Sequence, residues 1–212
     1  MYRQNLKEEH FTIRARKEGY AARSVYKLQE IDKKYHILKK GARVLDLGAA
    51  PGSWMQYIQK QIGPKGLVVG VDKEKLAFTP KHPAVFIQED VLVLKIEDIK
   101  RQVGFSAQGA HLPARRGPAS GWNVIVSDLA PSTSGAKALD SGRSFELATR
   151  AFQIALSLLL PKGSVVIKVF ESESVVGLTS EMGKHFSFVK RFRPKAVRPE
   201  SREIYIIGTG FH

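Results

Sequence analysis

The sequence predicts an α/β fold with a doubly wound, mostly parallel sheet. From Ala42 onward, short continuous runs of β-branched and other apolar residues alternate with longer helical segments, which is typical of buried parallel strands joined by helices. Near the end of the chain this alternation stops, because two strand-like runs follow each other with only a basic, proline-containing loop between them. These two runs predict an antiparallel pair at the edge of the sheet.

The individual elements follow from the local pattern. Apolar residues at helical spacing predict a first helix over residues 24–35, with Ser24 as its N-cap. Continuous apolar runs predict the parallel strands: 44–47, 67–72, 84–87, 124–128 and 164–169. Helices fit between or after these strands: 54–62, 143–160 and 174–185. Pro161 and Gly163 are expected to close the second of these helices, and the antiparallel edge pair is predicted over residues 186–192 and 203–209.

The length and composition predict one domain. A chain of 212 residues with 43% hydrophobic content can bury one sizeable core, so we expect a single domain over residues 1–212. Residues 1–41 would form a basic helical extension before the first strand. Residues 104–121 contain four Gly, four Ala, two Pro and no acid, which predicts a loop insertion.

Several classes of protein are disfavoured by composition. The chain has no cysteine, which excludes disulfides and thiolate metal sites, and no metal is expected. Its first ten residues lack the apolar run of a signal peptide, so we expect a cytoplasmic protein. The most apolar long stretch, residues 151–160, is too short to cross a bilayer and is expected to be a buried helix without membrane contact.

The net charge of +14 lies at the two ends of the chain. Residues 1–43 carry twelve Lys and Arg against five Asp and Glu, and residues 184–202 carry seven against one. Two basic flanks around a balanced body are what a surface for a polyanion such as RNA needs, since phosphate neutralisation dominates nucleic-acid affinity. The alternative is a solvated basic face without a partner.

A glycine-containing turn follows the first parallel strand. Residues 46–52, Asp-Leu-Gly-Ala-Ala-Pro-Gly, have a D-x-G-x-x-x-G outline, which permits close approach of the backbone to a ligand at the carboxyl end of a strand. Asp72, at the end of the second strand, is placed to accept both ribose hydroxyls of an adenosine. Asp90 would accept from the adenine amine and Trp54 would supply an apolar wall, although a helix cap and a core aromatic explain them equally well alone. Together they favour S-adenosylmethionine over NAD, for which the chain also lacks G-x-G-x-x-G.

Four charged residues complete the pattern. Lys27 lies in the first turn of the predicted first helix, Asp128 and Lys168 end the fourth and fifth parallel strands, and Glu203 begins the last strand. Alone, each is explained as well by a structural role, for example a surface pair of Glu203 with Arg202. With the glycine turn, the Lys-Asp-Lys-Glu set resembles that of the FtsJ/RrmJ family of RNA ribose 2′-O-methyltransferases, over about residues 20–210.

This resemblance implies a Rossmann-like, S-adenosylmethionine-dependent methyltransferase fold. It implies Lys27, Asp128, Lys168 and Glu203 as the catalytic set, with Lys168 as the proton acceptor. The implied cofactor-binding residues are Gly52, Trp54, Asp72, Asp90 and Asp128. Ser53 departs from the family pattern, because glycine is common at that position. A lysine acts as a base only where burial or a second cation removes its proton, so the residues leave Lys168 open as either a neutral base or a charged oxyanion stabiliser.

The implied substrate is RNA. The closest resemblance is to the bacterial-type enzymes that methylate a uridine of large-subunit, 23S-type ribosomal RNA, either free or within the assembled subunit. Relatives that act on tRNA give one alternative, and a non-catalytic RNA-binding factor of ribosome assembly gives another. Because residues 104–121 supply none of the catalytic set, we expect them to be dispensable for methyl transfer.

Overall fold

The structure, a computed structural model, describes residues 2–99, 121–132 and 134–212. The predicted insertion over residues 104–121 lies outside these residues, except for Gly121. Both the insertion and its dispensability therefore stay predictions.

Helices and strands alternate along the chain, as the sequence pattern predicts. The helices are α1 (Tyr2–Lys17), α2 (Val25–Tyr35), α3 (Ser53–Ile62), α4 (Lys137–Leu158) and α5 (Ser174–Met182). The strands are β1 (Arg43–Leu47), β2 (Leu67–Asp72), β3 (Ala84–Gln88), β4 (Trp122–Ser127), β5 (Leu159–Phe170), β6 (Phe186–Phe192) and β7 (Glu203–Phe211).

The seven strands form one sheet in the order β3-β2-β1-β4-β5-β7-β6. Strands β1 to β5 run parallel to one another, whereas β7 is antiparallel to both β5 and β6. The predicted α/β class, the mostly parallel sheet and the antiparallel pair at its edge are confirmed. Because β7 runs against β5, the start of β7 lies beside the carboxyl ends of the parallel strands.

Helices cover both faces of the sheet. On one face of the sheet, strand side chains pack against α4 and α5 and form one core layer. On the other face, strand side chains pack against α2 and α3 and form the second layer. Successive strand residues point to opposite faces, so Val44 and Val166 pack towards α2 and α3 while Leu45 and Val165 pack towards α4 and α5. Lys168 and Tyr205 are directly paired on β5 and β7, and Tyr205 belongs to the α2 and α3 layer.

The predicted end of the second long helix is wrong. Helix α4 starts at Lys137, six residues early, and stops at Leu158, so Pro161 and Gly163 lie within β5. The cause is sheet pairing: Leu159 is already extended and pairs with Trp122 of β4, and the ladder then slips before it resumes at Val124. Helix α5 likewise ends at Met182, three residues early, because β6 begins at Phe186.

Ser24 precedes α2 as predicted, but it does not cap the helix. Its backbone is helical (φ −59°, ψ −19°) and its hydroxyl makes no capping hydrogen bond. The hydroxyl instead lies 2.9 Å from the Ser53 hydroxyl, and the Ser24 carbonyl accepts a hydrogen bond from the Trp54 indole at 2.9 Å. Ser24 thus ties the start of α2 to the start of α3.

The apolar stretch that begins at Ala151 forms the buried last turns of α4, as expected up to Leu158. Within the ranges that the structure describes, none of the helices has both the length and the apolar character needed to span a membrane.

Candidate active site

The glycine turn after β1 depends on two glycines with left-handed backbones. Gly48 has φ +81° and Gly52 has φ +111°. A side chain at Gly48 would lie 2.9 Å from the Leu129 backbone nitrogen, and one at Gly52 would overlap the Phe78 ring. Only glycine fits both positions, so the turn brings backbone close to the ends of β1 and β4.

Asp72, at the end of β2, braces this turn. One carboxylate oxygen accepts a hydrogen bond from the Ala50 N–H at 2.9 Å, and the other accepts one from the Glu74 N–H at 2.9 Å. Each oxygen has a further lone pair, so these contacts fix the carboxylate without exhausting it. Asp90 is partly used in the same way, because it accepts a hydrogen bond from the Leu92 N–H at 2.9 Å within the turn after β3.

Trp54 is enclosed. Its side chain is 2% exposed, and its ring lies 6.0 Å from the Tyr205 ring between centroids. The interpretation of Trp54 as a core aromatic is therefore correct for the indole, and its predicted cofactor contact stays a prediction. Ser53, which replaces the glycine common in the family, is also buried and fits through its contact with Ser24.

Among the described residues, Asp46 on β1 beneath the turn has a buried carboxyl group in which both oxygens lack a hydrogen-bond partner. Burial raises its pKa well above the usual value, and the carboxylates of Asp128 and Asp72 raise it further. An unsatisfied buried polar group is costly in a folded protein. Burial therefore favours the neutral, protonated form of this carboxyl beneath the glycine turn.

The four predicted charged residues form two ion pairs. The Lys27 ammonium lies 2.7 Å and 2.9 Å from the two oxygens of Glu203. The Lys168 ammonium lies 3.1 Å from Asp128 Oδ1 and donates a hydrogen bond to the Asp128 carbonyl at 2.6 Å. The structure thus brings the four residues together, and it resolves Glu203 as the partner of Lys27.

Glu203 does not pair with Arg202. Glu203 is 7% exposed, whereas the Arg202 guanidinium donates to the Ser141 hydroxyl at 2.7 Å and to the Lys137 carbonyl at 3.1 Å. Arg202 therefore joins the start of β7 to the first turn of α4, and the interpretation of these neighbours as a surface pair is wrong.

Tyr205 connects the two ion pairs, and the sequence reasoning did not select it. Its hydroxyl lies 2.7 Å from Asp128 Oδ1 and 2.7 Å from Glu203 Oε1. Because a phenol has one hydrogen, it donates to one carboxylate at a time. Burial, with the nearby carboxylates of Asp128 and Glu203, raises the pKa of Tyr205 well above its usual value. The sequence offered one signal for Tyr205: it lies two residues after Glu203 in a strand-like run, and residues two apart in a strand share a face.

The electrostatics of Asp128 run in the opposite direction. Burial alone would raise its pKa, but the charges of Lys168 and Lys27 and the hydrogen bonds from Tyr205 and Lys168 outweigh burial and lower it. Asp128 is therefore held as a carboxylate, and it fixes the position of the Lys168 Nζ atom.

The two basic flanks of the chain meet beside this site. Ala15 of α1, Tyr26 of α2 and Ala196 of the β6–β7 loop pack together. Arg23 donates a hydrogen bond to the Ala196 carbonyl at 3.0 Å, and Glu30 accepts from the Lys195 and Ala196 N–H groups. The β6–β7 loop is thus fixed against the start of α2, next to Lys27.

Across residues 2–99, 121–132 and 134–212, no group of three or more His, Asp or Glu side chains has the arrangement of a metal site. A doubly wound sheet with a glycine turn and acceptors on successive strand ends is a common setting for nucleotide-containing ligands. Here a set of two lysines and two carboxylates lies beside that turn.

Comparison with known proteins gives the family. The family model for FtsJ-like methyltransferases matches residues 20–211. The chain belongs to the FtsJ-like methyltransferase family, which confirms the resemblance drawn from the sequence.

Curated relatives and a solved structure agree with this assignment. The chain is 42% identical over 200 residues to a Syntrophobacter fumaroxidans protein named ribosomal RNA large subunit methyltransferase E, with 94% of each chain covered. A Bdellovibrio bacteriovorus protein of the same name is 40% identical, with 94% of this chain and 95% of that protein covered. A Plasmodium falciparum protein described as a ribosomal RNA methyltransferase superposes with a TM-score of 0.74 at 27% identity, covering 91% of this chain and 98% of the other.

Proposed function

We propose that this chain transfers a methyl group from S-adenosylmethionine to the 2′-hydroxyl of a ribose in large-subunit ribosomal RNA, at a uridine. The observation that carries the proposal is the chain of contacts Lys27–Glu203–Tyr205–Asp128–Lys168 at the same sheet edge as the glycine turn. The names of the curated relatives support ribosomal RNA as the substrate.

The residues around the turn fit this cofactor. S-adenosylmethionine carries an adenosine whose two ribose hydroxyls and exocyclic amine are hydrogen-bond donors. Asp72 and Asp90 keep lone pairs for ribose hydroxyls and for the adenine amine. We assign Gly52, Trp54, Asp72, Asp90 and Asp128 as the residues that would hold the cofactor, which supplies the methyl group when bound.

The catalytic set must align a ribose hydroxyl and manage its proton. Alignment of reacting atoms at roughly 3–3.5 Å supplies a large part of the rate enhancement of such a transfer. Lys168 is 5% exposed and is held by two acceptors of one residue, so its position is well defined. We propose that Lys168 contacts the 2′-oxygen and that Asp128 orients the Lys168 side chain. Lys27 and Glu203 would hold the ribose on the side opposite Lys168.

Two hypotheses concern the proton of the 2′-hydroxyl, and they differ in the protonation state of Lys168. The contacts with Asp128 stabilise the ammonium, which would stabilise the developing negative charge on the 2′-oxygen. As a neutral amine, Lys168 would instead accept the proton itself, for which a positioned base typically contributes ~10²–10⁴-fold. These forms differ in whether arginine can replace lysine.

The RNA would lie on the two basic flanks. Arg14, Arg16 and Lys17 in the last turn of α1 are exposed, and the β6–β7 loop packs against the same part of α2. We propose that residues 14–23 and 191–202 form one phosphate-binding surface beside Lys27.

The test is a methyl-transfer assay with defined RNAs. Purified protein is supplied with labelled S-adenosylmethionine and separately with large ribosomal subunits, free ribosomal RNA and tRNA, and the modified nucleotide is then mapped. We expect incorporation into large-subunit RNA at a uridine, with the adjacent phosphodiester resistant to alkali because the 2′-oxygen is blocked. Label on a base, or only on tRNA, would contradict the proposal. RNA binding without any transfer would favour the assembly-factor alternative.

A further inference from the structure

An aromatic and basic patch lies on the edge strand of the sheet and extends along that strand from beside the catalytic set. It consists of Tyr35 at the end of α2, Phe188 and Phe192 of β6, and the lysines Lys34 and Lys190; we call it the edge platform. The Tyr35 ring centroid lies 6.2 Å from that of Phe188 and 5.7 Å from that of Phe192. Lys190 lies between the two phenylalanines on the same face of β6, because residues two apart in a strand share a face.

The edge platform leaves aromatic surface open to solvent. Phe188 is 46% exposed, and it lies on β6, the edge strand of the sheet. The Lys34 ammonium lies 4.5 Å from the Phe192 ring centroid and 5.5 Å from that of Tyr35. A single exposed apolar residue is ordinary, but an exposed ring within a group of aromatics and cations is what proteins use to stack nucleic-acid bases.

The charge around the edge platform favours an anionic ligand. The segment 33–40 carries four exposed lysines: Lys33, Lys34, Lys39 and Lys40. The acid that precedes this segment, Asp32, is buried and accepts hydrogen bonds from the Leu38 N–H and the Tyr57 hydroxyl. Glu30 is likewise used by the backbone of the β6–β7 loop. The lysines therefore face solvent while these two acids are turned to backbone and core groups.

The edge platform begins next to the catalytic set. Phe192 pairs in register with Tyr205, the residue that bridges the two ion pairs, and Phe188 pairs with Thr209. Four residues along a strand span about 13 Å. An RNA strand with its target ribose at Lys168 thus has an aromatic surface within reach of its neighbouring nucleotides.

We propose that the edge platform binds an unpaired nucleotide that flanks the methylated ribose in the RNA substrate. Its base stacks on Phe188, and Lys34 and Lys190 contact the adjoining phosphates. An unpaired nucleotide is required because the faces of a base within a duplex are covered by its neighbours. This inference rests on the proposed function, since it assigns a second contact to the same substrate.

The test compares variants of the full chain in binding a fluorescently labelled single-stranded oligoribonucleotide of about twelve nucleotides and a duplex of equal length. Phe188→Ala should weaken single-strand affinity by about five- to tenfold, the lower part of the range for one stacked base on a half-exposed ring. Phe188→Trp should bind at least as well as wild type. Val176→Ala removes a 60% exposed side chain on α5, on the other face of the sheet, and should change nothing.

The salt dependence separates stacking from phosphate contact. Lys34→Gln combined with Lys190→Gln should flatten the slope of log affinity against log salt by about 1.4, at roughly 0.7 for each phosphate contact to a single strand. Phe188→Ala should lower the affinity and leave this slope unchanged, because it removes no charge.

The edge platform and the proposed function fail in different ways. Equal single-strand affinity of Phe188→Ala and wild type would overturn the edge platform, and so would an equal loss on the duplex, which would indicate a shape or fold defect. A wild-type protein that binds the oligonucleotide but transfers no methyl group to any RNA would overturn only the proposed function. A wild-type protein that binds no RNA would overturn both.

Discussion

The two halves of the active-site edge differ in how completely their polar groups are satisfied. On the side of β4, β5 and β7, Lys168, Asp128, Tyr205 and Glu203 contact one another through hydrogen bonds and ion pairs of 2.6 to 3.1 Å. On the side of β1, β2 and β3, the carboxyl oxygens of Asp46 have no partner among the described residues, and both oxygens of Asp72 contact only backbone N–H groups.

This difference separates a part that is already organised from a part that a ligand completes. A side chain held by several partners keeps its position before the substrate arrives, so changes there should alter the rate of the reaction. An acceptor with free lone pairs contributes to the binding of a ligand, so changes there should alter affinity. Variants on the two sides should therefore separate into rate defects and binding defects.

Replacement of Lys168, on the side of β4, β5 and β7, should give the largest effect, a loss in the rate of methyl transfer. We expect Lys168→Ala to fold, to bind S-adenosylmethionine as wild type does, and to lose methyl transfer by at least ~10²-fold. Calorimetry and single-turnover transfer measure the two properties separately. Lys65→Ala, at an exposed lysine before β2, is the matched control and should transfer at the wild-type rate. Wild-type transfer by Lys168→Ala would show that the catalytic assignment is wrong.

Lys168→Arg distinguishes the two forms of the lysine. Arginine keeps the positive charge and does not act as a base at accessible pH. If the charged form stabilises the oxyanion, Lys168→Arg should retain activity well above that of Lys168→Ala. If Lys168 accepts the proton, both variants should be equally inactive at every pH from 6 to 10.

Asp72→Ala should give the largest effect on the other side, in affinity. Loss of charge-assisted hydrogen bonds worth roughly 1.5–3 kcal/mol predicts cofactor binding about 10- to 150-fold weaker by calorimetry. Asp72→Asn keeps one acceptor oxygen, so its affinity for the cofactor should lie between those of wild type and Asp72→Ala. The rate at saturating cofactor should stay close to wild type, and a full loss of that rate would place Asp72 with the catalytic set instead.

The basic surface should produce a smaller and more general effect. Replacing each of Arg14, Arg16 and Lys17 with Gln in one variant should weaken binding to RNAs of different sequence alike and flatten the salt slope by about 1.4 to 2, at roughly 0.7 for each phosphate contact. The expected change is below that for three full contacts, because Arg14 is already paired with Glu18 at 2.7 Å. Affinities measured across a salt series test this, and an unchanged slope would remove α1 from the RNA surface.

The sequence predicted where the four charged side chains lie, but it did not predict every contact among them. Strand ends can be located from β-branched runs, and parallel strand ends meet at one edge, so the convergence of Asp128 and Lys168 was predictable. The pairing of Glu203 with Lys27 depends on β7 lying between β5 and β6, which local pattern does not specify. The early end of α4 likewise depends on a pairing with Trp122, more than thirty residues away along the chain.

On the side of β1, β2 and β3, the sequence again predicted positions better than contacts. The D-x-G-x-x-x-G outline predicted the turn, and the left-handed backbones of Gly48 and Gly52 agree with it. Whether Trp54 faces a ligand or the core depends on the rotation of α3 against the sheet. Its indole hydrogen bond to Ser24 and its contact with Tyr205 show that the indole packs in the core, and its predicted contact with the cofactor stays a prediction.

Tyr205→Phe should give the smallest change and tests the link between the two ion pairs. The substitution removes the hydroxyl between Asp128 and Glu203 and preserves the ring that packs on Trp54. A buried acceptor that loses its donor costs about 1–3 kcal/mol, so the free energy of unfolding should fall by that amount near pH 8. Methyl transfer should fall by about tenfold or less, far less than in Lys168→Ala, since the lysine keeps both contacts with Asp128.

The pH dependence makes this prediction specific to the hydroxyl. The pKa of Tyr205 is raised in the folded state, so above pH 10 the unfolded chain binds fewer protons than the folded one, and wild-type stability falls as the pH rises. With an unfolded pKa of about 10, that loss reaches about 1.4 kcal/mol at pH 11 and is absent in Tyr205→Phe. The stability difference between the two proteins should therefore narrow between pH 9 and 11 in chemical denaturation. A constant or widening difference would mean that the protonated hydroxyl does not join the two ion pairs.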